Sequence, residues 1–158
     1  MTATGQSATP LTLLGQVTRI LNSGTPPDDT LRAVAGVLQS ALGFRSVAIW
    51  RREANASTFS SVSSPPAMRA AVSLDDLPSA PPGAIRLALT HAGLRLGLLE
   101  LEPEPGRPQP VAVLLEVLQN LLAPFLDAMT LSEDLALEVA SRSREIGEQR
   151  RFTGLVID

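Results

Sequence analysis

The sequence predicts an α+β domain: a central, mostly antiparallel sheet with N- and C-terminal helices on one face, and a long C-terminal helix. Two patterns lead to this prediction. Apolar residues recur at steps of three and four at both ends of the chain, as on one face of an amphipathic helix, and short β-branched or alternating runs lie between them. With 158 residues, of which 44% are hydrophobic, the chain is long enough for one domain with a buried core.

Two helices are expected before the first strand. The first ends near Gly24 and presents an apolar stripe made of Leu13, Leu14, Val17, Ile20 and Leu21. The second is expected to begin with Thr25 as its N-cap and Pro26 as its first helical residue, because a hydroxyl oxygen can accept a hydrogen bond from a free helix N–H. Gly43 lies where a glycine commonly ends a helix.

Four strands are expected, arranged as two hairpins. Ser46–Arg52 and Thr58–Ser64 form the first, and Ile85–Thr90 and Leu94–Glu102 form the second. In the last strand the apolar phase shifts near Gly97, which fits either a β-bulge or a strand that is covered on both faces.

The two remaining segments are predicted to form a loop and a long helix. The proline-rich segment Pro65–Gly83 is expected to form a lid between the hairpins. A long helical region runs from about Val111 to the end, and Pro124 is expected to kink or interrupt it. Beyond Met129 the helix resembles a weak coiled coil whose seam contains Leu131, Leu135, Val139 and Ile146. The expected division is a flexible tail at 1–10, a domain at 11–129 and a signalling helix or linker at 130–158.

Composition excludes several kinds of chemistry. The chain has no cysteine, so disulfides, thiolate metal sites, cysteine nucleophiles and thioether-attached chromophores are excluded. It has one histidine, so a histidine-rich metal centre is excluded as well, and no cofactor is predicted. The net charge of −3 argues against a nucleic-acid partner. Because the sequence shows neither a signal peptide nor an uninterrupted apolar run of about 20 residues, we expect a cytoplasmic protein without a membrane span.

Two short motifs carry a resemblance to a known family. GFRSVAIW at Gly43–Trp50 and LRLGLLEL at Leu94–Leu101, in this order around the predicted hairpins, resemble the GAF family of small sensory domains. The resemblance implies a GAF-like fold over most of the chain, with a ligand pocket beneath the lid. The asparagine–lysine–phenylalanine–aspartate–glutamate signature of its cyclic-nucleotide binders is absent. Bilin attachment and the free-methionine-sulfoxide reductase activity of this family both need cysteine, so neither is expected.

The C-terminal segment Leu135–Asp158 resembles a signalling helix, and its end, RFTGLVID, is similar to the lead-in of a PAS domain in bacterial sensor histidine kinases. The resemblance implies a regulatory module of a two-component system, not itself an enzyme, that is a fragment of a longer protein. It would form a homodimer and pass a shift of its paired exit helices to a downstream PAS or kinase domain. Two alternatives stay open: a ligand-free dimerisation spacer, and a small enzyme on the same fold.

The main candidate site residues form two groups, a ligand pocket and a dimer surface. Trp50, Phe59 and Met68 are expected to line a small-molecule pocket, with Arg86 or Arg52 pairing with an anionic ligand, although the same apolar residues would serve equally as core. The expected dimer and signalling surface contains Leu13, Val17, Leu118 and Leu122 from the helices near the domain and Leu131, Leu135, Val139 and Ile146 from the seam.

Three further candidates have stronger alternatives. His91 could ligate haem iron, but a turn beside Ala92 and Gly93 would leave it solvated. Asp75 and Asp76 could bind a cation or exchange protons, but adjacent acids in a loop are usually hydrated. The serines at 60, 61, 63 and 64 have no base at a recognisable spacing.

Overall fold

The computed structural model of the protein describes residues 10–53, 57–67, 69–77, 79–80, 82–106, 110 and 112–157. Residues 1–9 of the predicted tail and Met68 lie outside the described residues, whereas Pro10, the last residue of that predicted tail, is the first residue of a helix. The helices and strands are α1 (Pro10–Leu21), α2 (Pro27–Leu42), β1 (Phe44–Arg52), β2 (Phe59–Ser64), β3 (Ile85–His91), β4 (Leu94–Pro103) and α3 (Ala112–Ile157). The prediction of an α+β fold with a long C-terminal helix is confirmed.

The strands form an antiparallel sheet in the order β2-β1-β4-β3. α2 packs against β1 and β2, α3 packs against β3 and β4, and α1 contacts both of these helices, so the helices share one face. The core lies between this face and the helices and includes Leu31, Val34, Leu38, Val47, Ile49, Leu89, Leu99, Leu101, Leu118, Leu122 and Leu126. Successive strand residues point to opposite faces, so the other face of the sheet is left to the connecting segments.

α2 begins one residue later than predicted and ends where predicted. Pro26 is the N-cap and Pro27 the first helical residue, and the Thr25 side chain bonds to the Thr30 hydroxyl instead of to a helix N–H. Gly43 ends the helix as predicted, with a φ of 70° and its N–H donating to the Gln39 carbonyl at 2.9 Å. This left-handed conformation favours glycine and lets the chain enter β1 directly.

A β-bulge explains the shifted pattern in β4. Leu89 pairs with Gly97 but Thr90 pairs with Arg95, so Leu96 is the extra residue. Of the two alternatives left open by the sequence, the bulge is therefore correct. It lets apolar residues on both sides of the shift reach the core, since Leu96 is 4% exposed and Leu99 0%.

α3 continues through Pro124, so of the kink or interruption predicted there the interruption is wrong. Proline removes one backbone donor, to the carbonyl of Asn120, but both residues are exposed and water can satisfy that oxygen. The segment Ala112–Glu148 is long and apolar enough to cross a membrane by length and composition alone. The inner helix of a soluble protein meets the same criterion, and 33% of the most apolar window is buried here.

Four residues assigned to the dimer surface lie elsewhere. Leu13 is 1% exposed, and Val17, Leu118 and Leu122 are 0% exposed within the single chain. They form the contact between the helices and the sheet, so they are unavailable to a second copy. That part of the predicted interface is corrected to core.

Gly97 offers a test of how tightly the sheet is built. A Cβ at this position would lie far inside van der Waals contact of the Trp50 carbonyl and 3.0 Å from Leu126 Cδ1. We expect Gly97→Ala to lower the free energy of unfolding by about 1–3 kcal/mol, as overpacking does. Chemical denaturation measures this.

Gly15→Ala is the matched control. Gly15 lies inside α1, where a Cβ meets nothing within 4 Å, and alanine should raise stability by about 0.5–1 kcal/mol. Equal effects of the two substitutions would contradict the close approach at Gly97.

Candidate small-molecule site beneath the lid

The face of the sheet opposite the helices carries an aromatic and a charged group at its centre. Trp50 of β1 pairs with Leu98 of β4, and Ala48 pairs with Glu100. Arg86 of β3 lies directly opposite Glu100. Because residues at directly opposite positions project to the same face, Trp50, Glu100 and Arg86 come together on this side.

The segment between β2 and β3, here called the lid (65–84), covers this face. Val72 forms an isolated bridge with Phe59 at the edge of the sheet, through backbone hydrogen bonds of 2.7 and 3.0 Å. A single helical turn at Leu74–Asp76 follows, and the chain then enters β3. Since β2 and β3 are the two edge strands, the lid has to pass from one edge of the sheet to the other.

A cleft of about 460 Å³ lies between the lid and the sheet. Its lining combines an aromatic wall, small lid residues and three charged groups: Trp50, Arg69, Ala70, Val72, Ser79, Arg86 and Glu100. This volume is within the range of small-molecule sites in proteins, which are mostly apolar with a few placed polar groups.

Glu100 is shared by two guanidinium groups. Its Oε1 accepts a hydrogen bond from Arg69 Nη1 at 3.0 Å, and its Oε2 accepts bonds from Arg86 Nε at 2.9 Å and Nη2 at 2.8 Å. The Glu100 side chain is 8% exposed, so its charge needs these partners. Two guanidinium groups therefore meet at one carboxylate in the cleft, and guanidinium groups are well suited to binding an anionic ligand.

Arg69 connects the lid to the sheet by two contacts. Besides its bond to Glu100, its guanidinium carbon lies 5.7 Å from the centroid of the Trp50 ring, within the range of a cation–π interaction. The Arg69 side chain is 39% exposed, so solvent weakens both contacts. Together they hold the lid over the aromatic wall.

A buried donor at this site is unsatisfied. Trp50 is 2% exposed, and its indole Nε1 has no hydrogen-bond partner among the described residues. The hydroxyl of Ser61, which pairs with Trp50 across the two strands, is likewise without a partner in that part of the chain. Buried polar groups in folded proteins are nearly always paired, so an acceptor supplied from outside the chain would fit here.

The structure brings together part of the predicted pocket. Trp50 and Arg86 line the cleft, whereas Phe59 lies beside it and anchors the lid through its backbone. Arg52, the last residue of β1, pairs with Asp134 of α3 at 3.3 Å and lines a separate cavity of about 230 Å³.

Two important residues, Arg69 and Glu100, were missed. Glu100 carried a signal, because it is an acid between leucines in a strand that was expected to be buried. Arg69 carried none, because the lid has no periodicity.

The remaining candidate residues lie outside the cleft and do not form a site with one another. His91 is an exposed hairpin residue whose Nε2 lies 3.9 Å from Asp127 Oδ2. It is on β3, at the opposite edge of the sheet from the serines of β2, so the two cannot form a hydrolytic pair. Asp75 and Asp76 lie exposed on the lid, and the described residues contain no group of acids and histidine that could hold a metal ion.

Comparison with known proteins shows a shared fold. No family model matches the chain, and no curated protein matches it. A solved structure of free methionine-R-sulfoxide reductase from Neisseria meningitidis, in complex with its substrate, is similar with a TM-score of 0.61 and 17% sequence identity. The match covers 80% of this chain and 96% of that chain. At this identity the likeness shows the fold alone: the chain has a GAF-like fold.

These findings correct the interpretation of the sequence. The identification as a sensory module that leads to a PAS domain and a histidine kinase is wrong, because no family model supports it and the protein that shares the fold is an enzyme. The same finding overturns the expectation that the chain is not an enzyme. The shared fold is that of a soluble protein, while the cytoplasmic location and the homodimer stay predictions.

Removal of Arg69 should uncover the aromatic wall. The chain contains a single tryptophan, so all of its tryptophan fluorescence comes from Trp50. We expect Arg69→Ala to shift the emission to longer wavelength and to increase quenching by acrylamide, because the lid loses its contacts with Trp50 and Glu100.

Arg32→Ala is the control for this variant. Arg32 forms a 3.0 Å ion pair with Asp29 on α2, on the helical side of the sheet. Unchanged quenching in Arg69→Ala, or an equal change in both variants, would show that Arg69 does not hold the lid.

Proposed function

We propose that this protein is a small enzyme on the GAF fold, and that its substrate is a small molecule with a carboxylate group that binds in the cleft beneath the lid. One observation carries the proposal: two arginines share a single glutamate beside a buried indole N–H that has no partner in the described chain. The shared fold with an enzyme that was solved with its substrate supports it.

The lining favours an amino-acid-like substrate. Guanidinium groups bind carboxylates in a planar, bidentate manner. Each guanidinium has five N–H donors, so Arg69 and Arg86 can donate to a ligand carboxylate while they keep their bonds to Glu100. An ammonium group on the same molecule can be held by Glu100 or by the face of Trp50. The reductase that shares the fold acts, by its name, on free methionine sulfoxide, which is an α-amino acid. Free amino acids and their oxidised forms are therefore the first compounds to test.

The reaction must differ from thiol-dependent reduction. Reducing a sulfoxide takes two electrons, and this chain has no cysteine to supply them. Among the described residues that line the cleft, Glu100 is the one that can take up and return a proton. Arg69 and Arg86 orient the substrate and neutralise its charge. The proposed chemistry is acid–base catalysis by Glu100.

A second candidate function is dimerisation without a ligand. It is favoured by the exposed aliphatic residues of α3, with Leu135 51% and Val139 62% exposed. The experiments below distinguish the two, because a spacer has no need of a selective cleft.

Binding can be followed through Trp50 itself. Titration with free amino acids, including methionine and methionine sulfoxide, should change the Trp50 fluorescence, and the corresponding carboxamides should bind more weakly. We expect Arg86→Gln to weaken carboxylate binding roughly tenfold or more, the equivalent of about 1.4 kcal/mol for a lost charge-assisted bond. Arg32→Ala is the control and should bind as the unaltered protein does.

Equal binding of acids and carboxamides would contradict a carboxylate-recognising cleft. A complete absence of any fluorescence response across the amino acids would contradict the assigned substrate class.

Turnover of a bound compound tests the enzymatic part of the proposal. Consumption is followed by NMR or mass spectrometry, and we expect Glu100→Gln to lower the rate by about 10²–10⁴, the usual contribution of general acid–base catalysis. Glu102→Gln is the matched control: Glu102 lies two residues further along β4 and bonds to Ser46 and Arg45 instead of the cleft arginines. Retention of full turnover in Glu100→Gln would rule out its catalytic role.

A further inference from the structure

A second cavity, of about 230 Å³, lies where the end of β1 and the beginning of β4 meet the middle of α3. It shares no lining residue with the cleft beneath the lid. An engineered cavity of about 150 Å³ is large enough to hold benzene, so this one has room for a small organic molecule. Its lining consists of Arg52, Leu94, Arg95, Leu96, Asp127, Thr130, Leu131 and Asp134.

One face of α3 supplies half of this lining. From Asp127 the steps are three to Thr130, one to Leu131 and three to Asp134. Side chains three and four residues apart lie on the same side of a helix, so two acids, a hydroxyl and an aliphatic group face the cavity together.

The bulge in β4 supplies three more lining residues in succession. In a regular strand Arg95 would point to the opposite face from Leu94 and Leu96. Because Leu96 is the extra residue in the pairing with β3, the alternation is broken here, and all three side chains line the same cavity. Bulges beside binding sites commonly redirect a side chain in this way.

The cavity contains two charged groups of each sign. Arg52 and Asp134 form an ion pair at 3.3 Å. Arg95 is exposed and has no ion-pair partner among the described residues. The Oδ2 of Asp127 lies 3.9 Å from the Nε2 of His91, at the outer limit of an ion pair. A guanidinium on β4 and a carboxylate on α3 are therefore available to a ligand.

Two polar groups of the lining are buried without a partner. Thr130 is 3% exposed, and its hydroxyl has no hydrogen-bond partner in the described part of the chain; the same holds for the Nε of Arg52. Buried polar groups in folded proteins are nearly always paired. Rotation about χ1 exchanges the hydroxyl and the methyl group of Thr130, and threonine adopts both rotamers in helices. An oxygen of a ligand in the cavity can therefore become its partner.

We propose that the second cavity binds the zwitterion of a small aliphatic amino acid. The ligand carboxylate accepts hydrogen bonds from Arg95 and from the Thr130 hydroxyl, and the ligand ammonium group donates to Asp127. The aliphatic side chain packs on the leucines, of which Leu94 is 61% and Leu131 57% exposed, so binding removes apolar surface from water.

The balance of charges favours a zwitterion over a simple anion or cation. An anion alone would lie beside an unneutralised Asp127, and a cation alone would leave Arg95 without a partner; a like charge in close proximity costs affinity. The second cavity is independent of the proposed function, because the cleft beneath the lid is lined by other residues.

Titration of the isotopically labelled full chain with leucine tests where the ligand binds. Two-dimensional NMR spectra should show shifts of the amides of residues 94–96 and 127–131. Because the cavity is open and the ligand has few atoms, we expect a dissociation constant on the order of millimolar. No shift of these amides at tens of millimolar leucine would overturn the proposal.

Substitution of the two charged partners tests the recognition. Arg95→Gln and Asp127→Asn should each weaken the binding of leucine about tenfold, since each removes a charge-assisted hydrogen bond. Arg32→Gln and Asp29→Asn are the matched controls, because they make the same chemical changes in an exposed ion pair on α2, and leucine should bind to them normally. Unchanged affinity in Arg95→Gln and Asp127→Asn would overturn the proposal.

Two analogues of leucine test the need for both charges. Isocaproate lacks the amino group and isoamylamine lacks the carboxylate, and each should bind at least about tenfold more weakly than leucine. If either one binds as tightly as leucine, the site does not recognise a zwitterion and the proposal is wrong. Arg86→Gln, which alters the cleft beneath the lid, should leave the shifts of residues 94–96 intact. The two sites can therefore fail separately, because Trp50 fluorescence follows the cleft and these amides follow the second cavity.

Discussion

The alternation of side chains along β1 is the constraint on which the rest of the structure depends. Trp50 points into the cleft, and its neighbour Arg51 points to the helical side and bonds to Glu133. Arg52 is the last residue of the strand, and its long side chain reaches Asp134 of α3 although its position has the same parity as Trp50. Three successive residues thus build the wall of the candidate site and hold the base of α3. Because the period of a strand is two, a slip of one residue in the pairing of β1 would exchange these roles and destroy both features.

Much of the fold could be predicted from the sequence because it rests on local patterns. The hairpins, Gly43 at the end of α2 and the phase shift at Gly97 were all visible in residue types and spacing. The residues that the sequence misassigned depend on partners distant in the chain. The apolar stripe that contains Leu118 looks the same whether it packs on its own sheet or on a second copy, and only the tertiary structure decides that it is core. Arg69 acquires its role only because the lid crosses the sheet.

The functional identification failed for a related reason. GFRSVAIW and LRLGLLEL are apolar strand sequences, and what they specify is a buried sheet that different proteins use for different purposes. The chemistry lies in Glu100, Arg86 and Arg69, of which two were not recognised. The absence of cysteine limits the possible functions more than the resemblance does, because it excludes thiol chemistry whatever the fold is. What remains is a cleft lined by Trp50, Arg69, Arg86 and Glu100, on which the proposed function rests.

The bridge between Val72 and Phe59 has a consequence for solubility. β2 is an edge strand, and edge strands expose N–H and C=O groups that can pair with other chains and start aggregation. The two backbone hydrogen bonds of this bridge occupy such groups at the beginning of β2. At the opposite edge, the register shift between Leu89 and Thr90 marks a bulge, and bulges generally increase the local twist of a hairpin. If the lid were displaced from this edge, the N–H and C=O groups of Phe59 would be exposed and could pair with a strand of another chain. The contact of the lid with β2 therefore protects this edge against intermolecular β-pairing.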